Sequence, residues 1–144
     1  MSLKIERLSS KFVLDVVRIE SELIAKTSAE SVEKTISSNY IHYFVLLEED
    51  EVCGFLECSI IAPESELFEI AIDKKFQGRG FSKTLMDFYL NFANQNGCDT
   101  IFLEVNNMNM KALNLYRKYG FSEYGKRKNY YGENQDAILM KRMI

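Results

Sequence analysis

Residues 40–72 offer three apolar, β-rich runs in succession, and beyond Ile72 the chain changes to alternating helical and extended runs. Few folds accept that order. Tyr40 to Leu47 and Glu51 to Ile61 flank the polar Glu48-Glu49-Asp50 turn and read as a hairpin. Pro63 ends the second run, and Glu66 to Ile72 makes a third strand. Further on, Phe81, Leu85, Phe88, Tyr89 and Phe92 form one stripe at helical spacing, closed by Gly97. Thr100 to Val105 is short and nearly all apolar, the pattern of a strand buried on both faces. Asn109 or Asn107 then caps a helix carrying Ala112, Leu113, Tyr116 and Tyr119 and ending at Gly120. Phe121 to Lys126 and Asp136 to Arg142 are two last strands, joined by a polar loop around Gly132-Glu133-Asn134-Gln135.

At the other end, Leu3 to Leu8 alternates like a strand. Phe12, Val13, Val16, Val17, Ile19, Glu20 and Leu23 follow a helical period, with Ser9 or Ser10 as a natural cap. Thr27-Ser28-Ala29-Glu30 has capping-box spacing and opens a short helix that turns Val32 and Ile36 inward. The order β-α-α-β-β-β-α-β-α-β-β predicts a mixed α/β fold, one mixed sheet with helices on its faces. The 144 residues fit a single domain over 1–144, long enough to bury roughly two-thirds of the unfolded chain's surface.

Charge and composition narrow the function. A formal charge of -3 and a pI near 5.3 argue against gripping nucleic acid by electrostatics. The apolar runs fall far short of the ~20 residues of a membrane helix, and no apolar leader follows the first charges, so neither a membrane nor export is expected. Cys53, Cys58 and Cys98 are an odd set without a Cys-x-x-Cys, which fits reduced thiols in cytoplasm. The one histidine, His42, lies in the apolar run 40–47 and reads as structural. Histidine-rich metal sites and Ser-His or Cys-His nucleophiles therefore have one poor candidate, and no metal is expected. An acid or base here is Glu, Asp, Tyr or Lys.

The sharpest local feature is Gln77-Gly78-Arg79-Gly80-Phe81-Ser82-Lys83, between the strand ending at Ile72 and the next helix. Glycines permit a tight turn and close backbone approach, and a helix start offers free N–H groups with a positive dipole end. Arg79 and Lys83 add full charge, so the turn suits phosphate. A plain turn with a good helix start is the other reading. A dinucleotide fingerprint needs a third glycine at Lys83, and a P-loop needs glycines at Gln77 and Ser82.

Gln77-x-x-Gly80-x-Ser82 resembles the pyrophosphate-binding motif of the GNAT N-acetyltransferases, Gln/Arg-x-x-Gly-x-Gly/Ala. The similarity continues through Leu103-Glu104-Val105, Asn109, Ala112, Leu115-Tyr116, Gly120-Phe121, Arg127, Asn129-Tyr130-Tyr131, Asp136-Ala137-Ile138 and Met140. This stretch, about 52 to 140, is similar to the RimI branch, which acetylates the N-terminal amine of a ribosomal protein. Ser82 stands where the motif has Gly or Ala, and the chain, which has no Trp, lacks that branch's Phe-Pro-Trp segment. The resemblance implies a GNAT fold, a central, largely antiparallel splayed sheet of about seven strands flanked by about four helices. It implies acetyl-CoA as cosubstrate. Ile70-Ala71-Ile72 would pair with pantetheine, Gln77, Gly78, Arg79, Gly80, Phe81, Ser82 and Lys83 would wrap the pyrophosphate, and Asn109 would touch the cofactor. It makes Glu104 the general base, Tyr116 the general acid, and a protein N-terminus the acceptor, with a monomer or weak homodimer expected.

The residues bear on these roles separately. Glu104 is the one charge in Ile101-Phe102-Leu103-Glu104-Val105, so it has either a structural partner or a task. Burial would push such a carboxyl upward, toward proton transfer near neutral pH. Tyr116 sits two helical turns beyond Asn109, as a core aromatic or as a phenol able to protonate a departing thiolate. The resemblance also implies Glu66 and Glu69, on the strand facing the cofactor, as reserve bases, with Glu69 facing the acceptor. Tyr130 and Tyr131, in the last loop beside Arg127, Asn129 and Asp136, are packing or hold a peptide backbone. A lysine or small-molecule amine as acceptor, and a non-catalytic acyl-CoA sensor, are the competing readings.

Overall fold

A computed structural model describes residues 2–144. Seven strands form one sheet in the order β1-β2-β3-β4-β5-β7-β6: β1 (Leu3–Arg7), β2 (Ile41–Glu48), β3 (Glu51–Ile61), β4 (Glu64–Ile72), β5 (Thr100–Asn106), β6 (Ser122–Gly132) and β7 (Gln135–Met143). The helices are α1 (Val13–Leu23), α2 (Ala29–Ile36), α3 (Phe81–Gln95) and α4 (Met110–Lys118). All neighbours pair antiparallel except β4 and β5. The expected order of elements and the mixed, largely antiparallel sheet are both found.

The alternation of side chains divides the core. Tyr43, Val45 and Leu47 of β2, Phe55 of β3 and Ala71 of β4 face α1 and α2, meeting Val13, Val16, Ile19 and Val32. Phe44, Leu46, Leu56, Leu67 and Ile72 face the other way and pack with Leu85, Met86 and Tyr89 of α3 and Leu113 and Tyr116 of α4. β5 sends Ile101, Leu103 and Val105 to the same α3–α4 side.

Local expectations shift in four places. Neither Ser9 nor Ser10 caps α1 through its side chain; Ser10–Phe12 form a 3-10 turn that leads into the helix. Ser28 caps α2 by accepting from the Ser31 amide, one residue later than the capping-box reading. In that short helix Val32 is buried but Ile36 is exposed, because the apolar face meets the sheet through one turn only. β5 is covered on one face: Phe102 and Glu104 point away from the core and are only half-buried.

What opens the molecule is the junction of β4 and β5. They run parallel only from Glu64↔Thr100 to Leu67↔Leu103. Against β3, Cys58 pairs with Leu67 and Glu57 with Glu69, so Phe68 is an extra, bulged residue. A bulge bends its strand, and from here β4 and β5 diverge. On the β3 side the contact stays tight at Gly54, where a Cβ would lie 2.4 Å from the Ala71 carbonyl oxygen. Only glycine fits there.

Candidate active site

The divergence makes a cleft of about 460 Å³ between Ile70–Ile72 of β4 and Asn109, Ala112 and Tyr116 of α4, with Gly78, Gly80 and Ser82 at one end. Leu23 and Ile24, where α1 stops, also line it. A second cleft of about 440 Å³ continues from it past Glu69, Glu104 and Tyr131. Ile70, Asn109, Ala112 and Tyr116 border both. The two form one path with Tyr116 at the bend.

The first arm is shaped by backbone. The Gln77 side-chain amide donates to the Ile72 carbonyl at 2.9 Å and pins the turn to the strand it leaves. Gly80 precedes α3 with φ +79°, a conformation that side chains rarely adopt, and nothing lies within 4 Å of where its Cβ would be. No side chain caps α3 there, so the first-turn N–H groups remain open to an anion. The charge expected from Arg79 goes elsewhere. Its guanidinium binds the Glu48 carboxylate at 3.0 and 2.6 Å and lies over the Phe81 ring. The half-exposed guanidinium finds a carboxylate at the end of β2 and takes it bidentately. Lys83 is exposed on the first turn of α3 and does not line the cleft. Asn109 caps α4, its Oδ1 accepting from the Ala112 amide at 3.2 Å.

The second arm is shaped by titratable side chains. Tyr116 is buried, and among the described residues nothing hydrogen-bonds its hydroxyl. Burial, with the Glu69 charge behind it, pushes the phenol well above its usual value, so it keeps its proton at neutral pH. Glu104 has both a partner and a place in the cleft: its Oε1 lies 3.2 Å from Arg127 Nε. Its surroundings are those of a partly exposed ion pair, and a strongly desolvated acid stands on β4 instead. Burial, then the charges of Glu20 and Glu57, push Glu69 up to about 8. Glu66 is also raised, by burial and by Glu104, against the pull of Arg127. It lines a separate hollow with Tyr124 and Arg127.

The tyrosine pair lies on β6, which runs to Gly132, and not in a loop. Tyr131 enters the second cleft, whereas Tyr130 stacks outside it, edge-on to Tyr131 and against Arg127. Asn129 and Asp136 shape the hairpin: Asp136 Oδ1 accepts from the Asn129 amide, and Asn129 Oδ1 accepts from the Asn134 amide. His42 is structural; Arg7 donates to its Nδ1 at 2.7 Å, which requires an unprotonated nitrogen. All three cysteines are buried, and burial pushes Cys53 up to about 11 and Cys58 up to about 12, so neither is a nucleophile at neutral pH. Among the described residues no helix is long and apolar enough to cross a membrane.

Sequence reasoning missed Glu20, Tyr43 and Glu57. Tyr43, Glu57 and Glu69 face each other across β2, β3 and β4, with Glu20 of α1 above them. The available signal was one acid, Glu57, in the otherwise apolar middle of β3.

Comparisons with known proteins agree with this geometry. Residues 14–121 match the family described as Acetyltransferase (GNAT). The [ribosomal protein bS18]-alanine N-acetyltransferase of Haemophilus influenzae is 38% identical over 99 residues, covering 66% of this chain and 67% of the relative. Its Escherichia coli counterpart is 33% identical over 115 residues, covering 75% and 77%. The crystal structure of the Escherichia coli enzyme superposes with a TM-score of 0.90 at 26% identity, over 99% of this chain and 94% of that one.

Proposed function

The chain belongs to the GNAT acetyltransferase family and is an N-acetyltransferase, and on that footing we propose that it moves acetyl from acetyl-CoA to the α-amine of a protein N-terminus. The relatives' names point to an alanine amine on a ribosomal protein, and so to work in the cytoplasm. One observation carries the reading: the backbone-built and the acid-lined clefts meet at a buried, proton-bearing tyrosine.

The residues present fit acetyl-CoA. The turn at Gly78–Ser82 and the open N–H groups of α3 suit a pyrophosphate, and the diverging edge of β4 at Ile70–Ile72 suits the amides of pantetheine. Bound there, the cosubstrate supplies an activated acyl group. Asn109 borders the channel at the cap of α4. Arg79 acts on the turn from outside, through Glu48 and Phe81.

The amine needs help from the protein only in part. An α-amine near pKa 8 is roughly 10% neutral at pH 7, whereas a lysine near 10.4 is about 0.04% neutral. Glu104 takes a proton from the nitrogen as the C–N bond forms. Tyr116 gives its proton to the sulfur as the C–S bond breaks, and Glu104 restores it. Transfer is direct, because no side chain in the clefts is an activated nucleophile. Tyr131 and Glu69 border the place of the incoming amine.

A panel of peptides with free N-termini, against blocked peptides bearing an internal lysine and small polyamines, tests this with sites read by mass spectrometry. Acetylation of α-amines is expected to dominate. Preferential modification of lysine or polyamine overturns the acceptor, and cofactor binding without turnover overturns the activity.

A further inference from the structure

Acetylating an ammonium group removes two protons from nitrogen. One ends on the CoA sulfur and one must leave for solvent. Glu104 and Tyr116 account for the proton that ends on sulfur, and the one that leaves, the first to come off the ammonium, needs its own acceptor and exit.

A row of side chains leads away from the cleft on the other wall. Glu69 lines the cleft. Its cross-strand neighbour on β3 is Glu57, and the neighbour of Glu57 on β2 is Tyr43. Facing carboxylates are ordinarily destabilising in a sheet. Tyr43 is only 6% exposed, and its hydroxyl donates to Glu20 Oε1 on α1 at 2.8 Å. Glu57 lies directly across from Tyr43 in the β2–β3 register, and the two act on each other electrostatically. The phenolic proton is committed to Glu20, so a proton held on Glu57 can pass along the row only as an O–H offered to the Tyr43 oxygen. That arrangement has a direction, from β3 to the half-buried Glu20 at the edge of α1.

We propose that Glu69, Glu57, Tyr43 and Glu20 form a proton exit that carries the first proton of the acceptor ammonium from the cleft to solvent beside α1. Glu69 takes the proton and leaves a neutral amine. The proton passes to Glu57; Glu57 gives one to the Tyr43 oxygen as Tyr43 gives its own to Glu20, and Glu20 releases it to water. No electrons move, and the row ends as it began. Glu57, Tyr43 and Glu20 touch neither substrate nor cofactor and are positioning residues for the proton.

The surroundings suit the task. The groups coupled electrostatically along this row are Glu20 from α1, Tyr43 from β2, Glu57 and Cys58 from β3, Glu69 from β4, Tyr116 from α4 and Tyr131 from β6. Among the described residues no ion pair includes Glu20, Glu57 or Glu69, and Arg18 of α1 is turned to Asp73 at 2.9 Å. Burial and Glu20 push Glu57 up to about 7, and Glu69 stands at about 8. Both lie near the pKa of about 8 of an α-amine, so a proton taken by Glu69 meets no steep rise on its way to Glu57.

The inference rests on the acceptor proposed above, and pH–rate profiles separate the two. Tyr43→Phe keeps the ring and removes the link; Glu20→Gln, at the helix surface, disturbs no core packing. Each is expected to lower kcat/KM at pH 7 by about tenfold, less than the 10²–10⁴ of a direct base, since water substitutes in part. Acetyl-CoA affinity should not change, the loss should vanish above pH 9, where the amine arrives neutral, and added imidazole should restore activity at pH 7. Wild-type profiles in both variants, or an equal loss at every pH, overturn the exit while leaving the acceptor standing. Absence of α-amine acetylation by the wild-type protein overturns both.

Discussion

The two arms of the cleft are built from different materials. The arm proposed for the cofactor is backbone: a bulged strand edge, two glycines and the uncapped start of α3. The arm proposed for the acceptor is titratable side chain: Glu69, Glu104, Tyr116 and Tyr131. Backbone donors keep their charge at every pH and are lost only by distorting the chain. Side-chain acids and phenols are lost by removing one atom and change with pH. The first arm is therefore expected to fail by strain and the second by chemistry.

The largest effect that would break this contrast lies at the bend. Tyr116→Phe keeps the buried ring and removes the donor, so kcat should fall by about 10²–10⁴ while acetyl-CoA affinity, read by calorimetric titration, stays near wild type. A fall below about threefold, with chemistry shown to limit the rate, removes the tyrosine from the acid role.

Glu104→Gln is expected to cost about 10²-fold in kcat/KM at neutral pH and to recover part of that at high pH. A loss independent of pH would mean that Glu104 holds Arg127 and does no more.

Gly80→Val tests the other arm. A β-branched residue at φ +79° carries about 1–3 kcal/mol of strain, which corresponds to roughly 5–150-fold weaker acetyl-CoA binding. The loss should be the same at pH 6 and pH 9. A strong pH dependence would show that side-chain charge, not backbone, holds the pyrophosphate.

The smallest effect is on stability. Glu69 is raised to about 8 in the folded protein, while an unfolded glutamate titrates near 4.3. Between those values the folded state holds the extra proton, so wild-type stability declines as pH rises through that window and levels off above it. Glu69→Gln should melt with wild type near pH 4.5 and about 3 °C or more above it at pH 9. Parallel melting curves at all pH values would show that Glu69 is ordinarily solvated.

The same contrast explains what could be read from the sequence. Gly78 and Gly80 announce their turn in a short stretch, and the periodicities of α3 and β5 place the strand, turn and helix around it. Glu104 and Tyr116 entered only through resemblance, since a lone acid or a core tyrosine is locally ambiguous. The β6 boundary was missed because Lys126 to Gly132 is polar, yet pairs with β7 around an Asn129 at φ 55°. The acidic row was illegible because it depends on the register of three strands and the packing of α1. Glu57 and Glu69 become neighbours only when β3 and β4 pair, and Glu20 reaches Tyr43 only when the helix settles on the sheet.

The bulge at Phe68 works as a phase change in the strand. Before it, even-numbered Glu66 looks toward the acceptor side and odd-numbered Leu67 into the α3–α4 core; after it, odd-numbered Glu69 and Ala71 look toward α1 while Ile70 and Ile72 look to the core. Deleting Phe68 would close the bulge: Leu67 and Glu69 would alternate as in a regular strand, every residue downstream would keep its face, and β4 would lose the bend that parts it from β5. A one-residue deletion in the Glu133–Asn134 hairpin would alter a solvent-facing turn. The one extra residue between Leu67 and Glu69 is thus a constraint in its own right: the parting of β4 from β5 is specified by a count of residues as much as by their identity.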